Sequence, residues 1–228
     1  MRIERLEPSK HKEGRWLVWF EDGSLLRVGE GDVVALSLYT GKELSEQEAA
    51  ALTAAAEQSK LSERAVALLS ARPMSRKELV DKLSAPPRPR KRGNGELPEP
   101  DPGGQEYERE KLRLAAEAAA DRMEQLGLVN DEEYARAVVR HYAARGYGDR
   151  KLRDELYRRG VPREYWDGAL TEAGAEDDAL DKLVRQKLRG AEPTRENLKK
   201  ASDYLARRGY AWEEIAAALR RYGAEMED

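Results

Sequence analysis

Apolar residues recur three and four positions apart along most of the chain, as one face of an α-helix requires. The series Leu112, Ala115, Ala119, Met123 and Leu126 predicts one helix, ended by Gly127, and Tyr134, Val138, Val139 and Tyr142 predict the next. Leu152 and Leu156 mark a third that closes at Gly160. Tyr165, Trp166, Ala169 and Leu170 follow, with Pro162 at the first turn. Leu180, Leu183, Val184 and Leu188 form another, stopped by Gly190 and Pro193; Thr194 opens the one with Leu198 and Leu205, and 212–219 is the last. Capping boxes set several starts: Ser45 with Glu48 before the Ala-rich run 49–56, Ser75 with Glu78 before Leu79, Val80 and Leu83, and Asn130 with Glu133. A separate start is expected at Ser62, ahead of Ala65, Val66, Leu68 and Leu69, in a helix that Pro73 stops. Only the beginning of the chain departs from this period. Residues 16–20 are apolar and β-prone, Asp22-Gly23 supplies a turn and 25–28 return, which predicts a hairpin that Ile3 and Leu6 could widen by a strand.

The sequence also matches itself. Arg145-Gly146-Tyr147 and Leu156 recur 63 positions later as Arg208-Gly209-Tyr210 and Leu219, with Ile215 matching Leu152 and Gly223 matching Gly160. A weaker copy lies 73 positions upstream, where Ala71-Arg72, Leu79, Asp81 and Leu83 match Ala144-Arg145, Leu152, Asp154 and Leu156. Three copies of a small helical unit are therefore expected. Such helices cannot bury their stripes alone, so the copies should stack into a curved, elongated array.

Composition supports thin helical layers over one thick core: of 228 residues 37% are charged and 7% aromatic, with Phe20 the sole phenylalanine. The absence of cysteine excludes disulfides and thiolate chemistry and agrees with a reducing cytoplasm. No apolar leader or membrane-spanning run is present, and a cytoplasmic address is expected. Segment 85–106 is Pro- and Gly-rich and nearly devoid of apolar residues; it is expected to be a disordered, solvated loop in preference to a nucleic-acid-binding arm.

A net charge of -3 advertises no polyanion, but the charge is segregated. Residues 140–163 hold eight basic and three acidic side chains and 181–208 nine and four, while the intervening 164–180 hold six acidic and no basic ones. On the helix bearing Leu152 and Leu156, the residues Arg150, Lys151 and Arg158 are expected to face away from the buried stripe, with Arg153 at its flank. The equivalent helix of repeat one presents Arg76, Lys77 and Lys82. Repeat three has Glu213 and Glu214 there and would rely on Lys199, Lys200, Arg207 and Arg208. With Arg145 and Arg159, these form the candidate binding surface. Singly, each cation is better read as ion-paired and solvated; together they favour an interface.

Other chemistry is unpromising. Tyr147 and Tyr210 are expected to pack their turns rather than stack on bases, and neither His141 nor His11 has a partner for metal binding. Gly146-Tyr147-Gly148 lacks the third glycine and preceding strand of a dinucleotide fingerprint, Gly41-Lys42 lacks the upstream glycine of a phosphate loop, and Asp177, Asp178 and Asp181 lie on a charged helix without a pocket.

Four segments, SRKELVDKL (75–83), LGLVNDEEYA (126–135), RGYGDRKLRDELYRRGV (145–161) and LARRGY (205–210), together resemble the RecX family of bacterial regulators of the RecA recombinase. The beginning is similar to the β-bearing extension of some members, in FEDGSLLRV and LSLYTGKELSEQE; the Pro-rich insertion within repeat one departs from the compact family pattern. The resemblance implies a mainly α protein of tandem three-helix repeats with a small N-terminal β-hairpin element. Its divisions would be 1–60, then repeats at 61–129, 130–174 and 175–228. It further implies a non-enzymatic, monomeric protein without cofactor or membrane partner, which binds RecA filaments on single-stranded DNA and inhibits their extension, ATPase and strand exchange. A helical-repeat DNA-binding protein acting without RecA is the alternative, and a structural scaffold a third.

Overall fold

The computed structural model describes residues 1–85, 102–173, 178–189, 192 and 194–227. The protein is mainly helical with one small sheet, and it divides into two compact units. The first comprises Met1–Arg72 with Leu79–Leu128, the second Pro73–Glu78 with Val129–Asp228.

The first unit opens with β1 (Ile3–Pro8), β2 (Arg15–Phe20) and β3 (Leu25–Gly29), an antiparallel sheet in the order β1-β2-β3. Ile3 and Leu6 do contribute a strand. Alternation along it places Ile3, Val18, Phe20 and Val28 on the face that packs with Leu38, Leu44 and Leu52. Asp22 closes the hairpin by accepting from the Ser24 amide at 2.8 Å. A short helix, α1 (Glu30–Ala35), leads to α2 (Glu46–Ala71).

The capping box of α2 forms as the sequence predicts, with Ser45 Oγ accepting from the Glu48 amide and Glu48 accepting from the Ser45 amide at 2.9 Å. Ser45→Ala should therefore cost about 1 kcal/mol, measured by urea denaturation, with Ser45→Asp close to wild type. The expected second start at Ser62 does not exist. Nothing between Ala56 and Ser62 breaks a helix, and Leu61 and Ala65, buried one turn apart on either side of Ser62, carry it through that position. Next come α3 (Arg76–Ser84), whose last carbonyls, from Lys82 and Leu83, accept from Arg64 at 2.8 and 3.2 Å, and α4 (Pro102–Gln125). Helix α4 begins at Pro102, so 102–106 are helix and not part of the disordered loop expected over 85–106, because a proline lacks only an amide that the first helical turn leaves unbonded. Buried Ala116, Ala119, Ala120 and Met123 line α4, which packs on α2. The expectation of disorder for 86–101 lies outside the described residues.

The second unit continues with α5 (Asp131–Ala143), α6 (Asp149–Arg158), a 3-10 turn (Arg163–Tyr165) and α7 (Trp166–Ala173). It ends with α8 (Asp178–Leu188), α9 (Arg195–Arg207) and α10 (Trp212–Glu227). Val138, Val139, Leu152, Leu156, Val161 and Trp166 are central to one core, and the Trp166 indole donates to the Val161 carbonyl at 3.0 Å. Leu180, Val184, Leu188, Leu205 and Ile215 form a second core among α8, α9 and α10. Each core is what its apolar periodicity anticipates. Two details differ: Pro162 caps the 3-10 turn instead of opening an α-helix, and Gly223 lies inside α10 while its repeat partner Gly160 ends a helix at φ +66°. Helix α10 runs on past Gly223 because nothing there stops it. Among the described residues, no helix is long and apolar enough to cross a membrane.

Candidate functional site

Helix α6 is held at both ends by the neighbouring repeats, through main-chain contacts at its start and through side chains at its end. At its start, the Gly148 amide donates to the Arg208 carbonyl at 2.9 Å and the Arg150 amide to the Gly209 carbonyl at 3.1 Å. The two turns that match at an offset of 63 are thus stacked on each other. Neither glycine leaves room for a side chain: a Cβ on Gly148 would stand 2.7 Å from Gly209 C, and one on Gly209 2.5 Å from Lys151 N. Arg208 completes the junction by donating to the Arg145 carbonyl and, at 3.1 Å, to that of Gly146. Its guanidinium lies 5.1 Å from the Tyr147 ring centre and 4.9 Å from that of Tyr204. At the other end of α6, Ser75 Oγ donates to the Arg159 carbonyl, and the Lys77 side chain covers Gly160. Beside it the Arg76 amide donates to buried Asp131 at 2.8 Å.

The interior face of α6 holds a group that charge counting overlooks. Glu155 is buried, its side chain 3% exposed, and three cations converge on it: Lys151 at 3.0 Å, Arg158 at 3.1 Å, and Arg159. Burial alone would raise its pKa, but hydrogen bonds and charge from Arg159 and Lys151 overcome that and hold it down at about 2. Arg159 also donates to the Tyr142 hydroxyl at 3.0 Å. The signal is present in the sequence: Glu155 follows Leu152 by three positions on the buried stripe, with cations at four before and at three and four after.

The candidate cations therefore separate by what they touch. Lys151, Arg158 and Arg159 neutralise Glu155, and Arg208 ties two turns together. Lys151 consequently bends toward the interior instead of facing away from it. Arg153 bridges Asp149 at 2.8 Å and Asp167 at 3.4 Å, and Lys200 meets Glu196 at 2.7 Å. Lys82 belongs to the first unit and the other candidate cations to the second. Arg145, Arg150, Lys199 and Arg207 are exposed, and among the described residues their own charged groups make no hydrogen bond or ion pair. Tyr147 and Tyr210 are half-buried against the two cores, in keeping with a packing role. His141 is exposed, its ring edge-on to Tyr142. No group of three or more metal-ligating side chains occurs among the described residues.

Comparison with known proteins bears on this arrangement. The family pattern described as RecX, second three-helix domain, matches residues 130–170, which span α5, α6 and most of α7. A protein named regulatory protein RecX from Xanthomonas axonopodis pv. citri (strain 306) is 38% identical over 161 residues, 69% of this chain and 85% of its own length. One of the same name from Mycolicibacterium vanbaalenii is 42% identical over 106 residues, 42% of this chain and 58% of its own. Among solved structures, that of a regulatory protein RecX superimposes with a TM-score of 0.69 at 22% identity, covering 94% of this chain and 97% of that one. RecX from Lactobacillus salivarius gives 0.55 at 17% identity, over 72% and 96%.

Proposed function

The chain belongs to the RecX family, and from that membership we propose that it is a negative modulator of the RecA recombinase. In this reading it binds RecA filaments on single-stranded DNA and restrains their extension, ATPase and strand exchange. A modulator of this kind works by binding one filament state more tightly than the other, so its contacts must be made by groups not already satisfied internally. The observation that carries the reading is the set Arg145, Arg150, Lys199 and Arg207. These are exposed cations of one unit whose own guanidinium or ammonium groups meet no described hydrogen-bond or ion-pair partner, and they suit phosphates or an acidic partner surface.

The same geometry chooses the variant. Reversing Lys151 or Arg158 would disturb Glu155, and any lost activity would be confounded with lost stability. The fourfold reversal Arg145→Glu, Arg150→Glu, Lys199→Glu and Arg207→Glu avoids this. It should weaken inhibition of RecA ATP hydrolysis on single-stranded DNA at least tenfold, with helicity and Tm unchanged. Undiminished inhibition by the folded variant overturns the assignment. A protein acting without RecA would instead bind naked DNA, with steep salt dependence, and leave RecA turnover untouched.

A further inference from the structure

The tyrosines of the matched turns are packed, but another aromatic on α6 is not. Tyr157 is 70% exposed, and no other ring or guanidinium stacks on it among the described residues. It lies seven residues after Arg150 and four after Arg153, so the three share a solvent stripe on α6, with Arg150 and Tyr157 roughly 10 Å apart along the axis. Arg150 begins that stripe at the Gly209 junction. At the other end the Tyr157 carbonyl accepts from the Gly160 amide at 2.9 Å, and Lys77 lies over Gly160, so a cation from the preceding repeat borders the ring's own turn. Arg158 adds a guanidinium that is 68% exposed despite its contact with Glu155. Four cations thus lie on or beside the stripe that carries the tyrosine, against Asp149 and Asp167, both bridged to Arg153, and Asp154.

A flat, solvent-facing ring among cations is the combination that takes an unpaired nucleobase on its face while neighbouring phosphates meet the charges. An acidic protein surface would use the cations but leave the ring without a specific counterpart. A duplex would keep its bases stacked away from it. We propose that Tyr157 is a base-stacking residue and that the Arg150–Arg153–Tyr157–Lys77 stripe contacts single-stranded nucleic acid directly. This rests on the reading above for the location of the binding face and adds its chemistry. Repeat three has Arg220 at the position matching Tyr157, so the stacking function belongs to repeat two.

The test uses the full chain and fluorescein-labelled oligo-dT, followed by anisotropy across a salt series. Tyr157→Ala should raise Kd about tenfold with an unchanged salt slope, Tyr157→Phe should stay within about twofold of wild type, and Arg150→Ala should lower the slope by about one. In parallel, a 5-iodouracil oligonucleotide should photo-crosslink to Tyr157, located by peptide mass spectrometry. Equal binding by Tyr157→Ala, a crosslink elsewhere, or no binding of oligo-dT by the wild type overturns the proposal. RecA ATPase inhibition is measured on the same preparations. Inhibition of RecA by the wild type with oligo-dT binding unaffected by Tyr157→Ala defeats the stacking role alone, whereas Tyr157-dependent binding of oligo-dT with no effect on RecA defeats the modulator reading and keeps the stacking role.

Discussion

Replacing Gly209 by alanine is expected to destabilise the second unit by about 3 kcal/mol, more than a typical point substitution. Two costs add. Gly209 has φ +93°, a conformation that an L side chain strains to adopt, and the added Cβ would meet Lys151 N at 2.5 Å and Lys151 Cβ at 2.7 Å. A main-chain nitrogen in the first turn of α6 cannot swing aside, so the junction must open. Opening it loses the bonds from the Arg150 and Gly148 amides to the Gly209 and Arg208 carbonyls. Gly168 supplies the comparison in the same unit: it lies within α7 with nothing inside 4 Å of its would-be Cβ. Gly168→Ala should be neutral or up to about 1 kcal/mol stabilising, through helix propensity. Urea denaturation of both variants decides the matter, and equal stabilities would refute a sterically closed junction.

The second large effect is expected at Glu155. Exchanging it for glutamine at neutral pH leaves Lys151, Arg158 and Arg159 gathered around a neutral amide and should cost about 3 kcal/mol, as removing one partner of a buried ion group does. The effect carries a pH signature. The carboxyl has a pKa of about 2 in the folded protein, against roughly 4.3 in an unfolded chain. The unfolded state therefore takes up the proton first as pH falls. The stabilisation is complete above the unfolded value and disappears as pH drops through the interval toward 2. The stability gap between wild type and Glu155→Gln should accordingly be wide at pH 7 and nearly closed by pH 2. A gap independent of pH would mean that shape, not charge, makes Glu155 necessary.

How far the sequence reveals this protein depends on which interactions are local. Ser45 with Glu48 and Asn130 with Glu133 mark helix starts correctly, since a cap and the amide that donates to it lie within one turn. Ser62 misleads because a serine that resembles a cap sits in the middle of one continuous helix, where burial of Leu61 and Ala65 overrides it. The matched turns are legible as a repeat, but that they rest on one another is a tertiary fact that no offset expresses. The proposed binding face suffers most. A helical wheel drawn from Leu152 and Leu156 sends Lys151 to solvent, yet its long side chain reaches back to Glu155 one turn on. Tyr157 escapes notice for the complementary reason: a tyrosine beside leucines reads as core until its exposure is seen.

The interlocked turns around Gly148 and Gly209 have a consequence for how such a chain can change. Because the joint consists of amides, carbonyls, missing side chains and the one guanidinium of Arg208, it makes little demand on the identity of the other outward residues of α6 or α9. Coupling and recognition are thereby assigned to different atoms. The surface can be rewritten for a new partner while the connector between modules stays as it is, and exchanging outward residues between repeats two and three is a practical route to altered specificity.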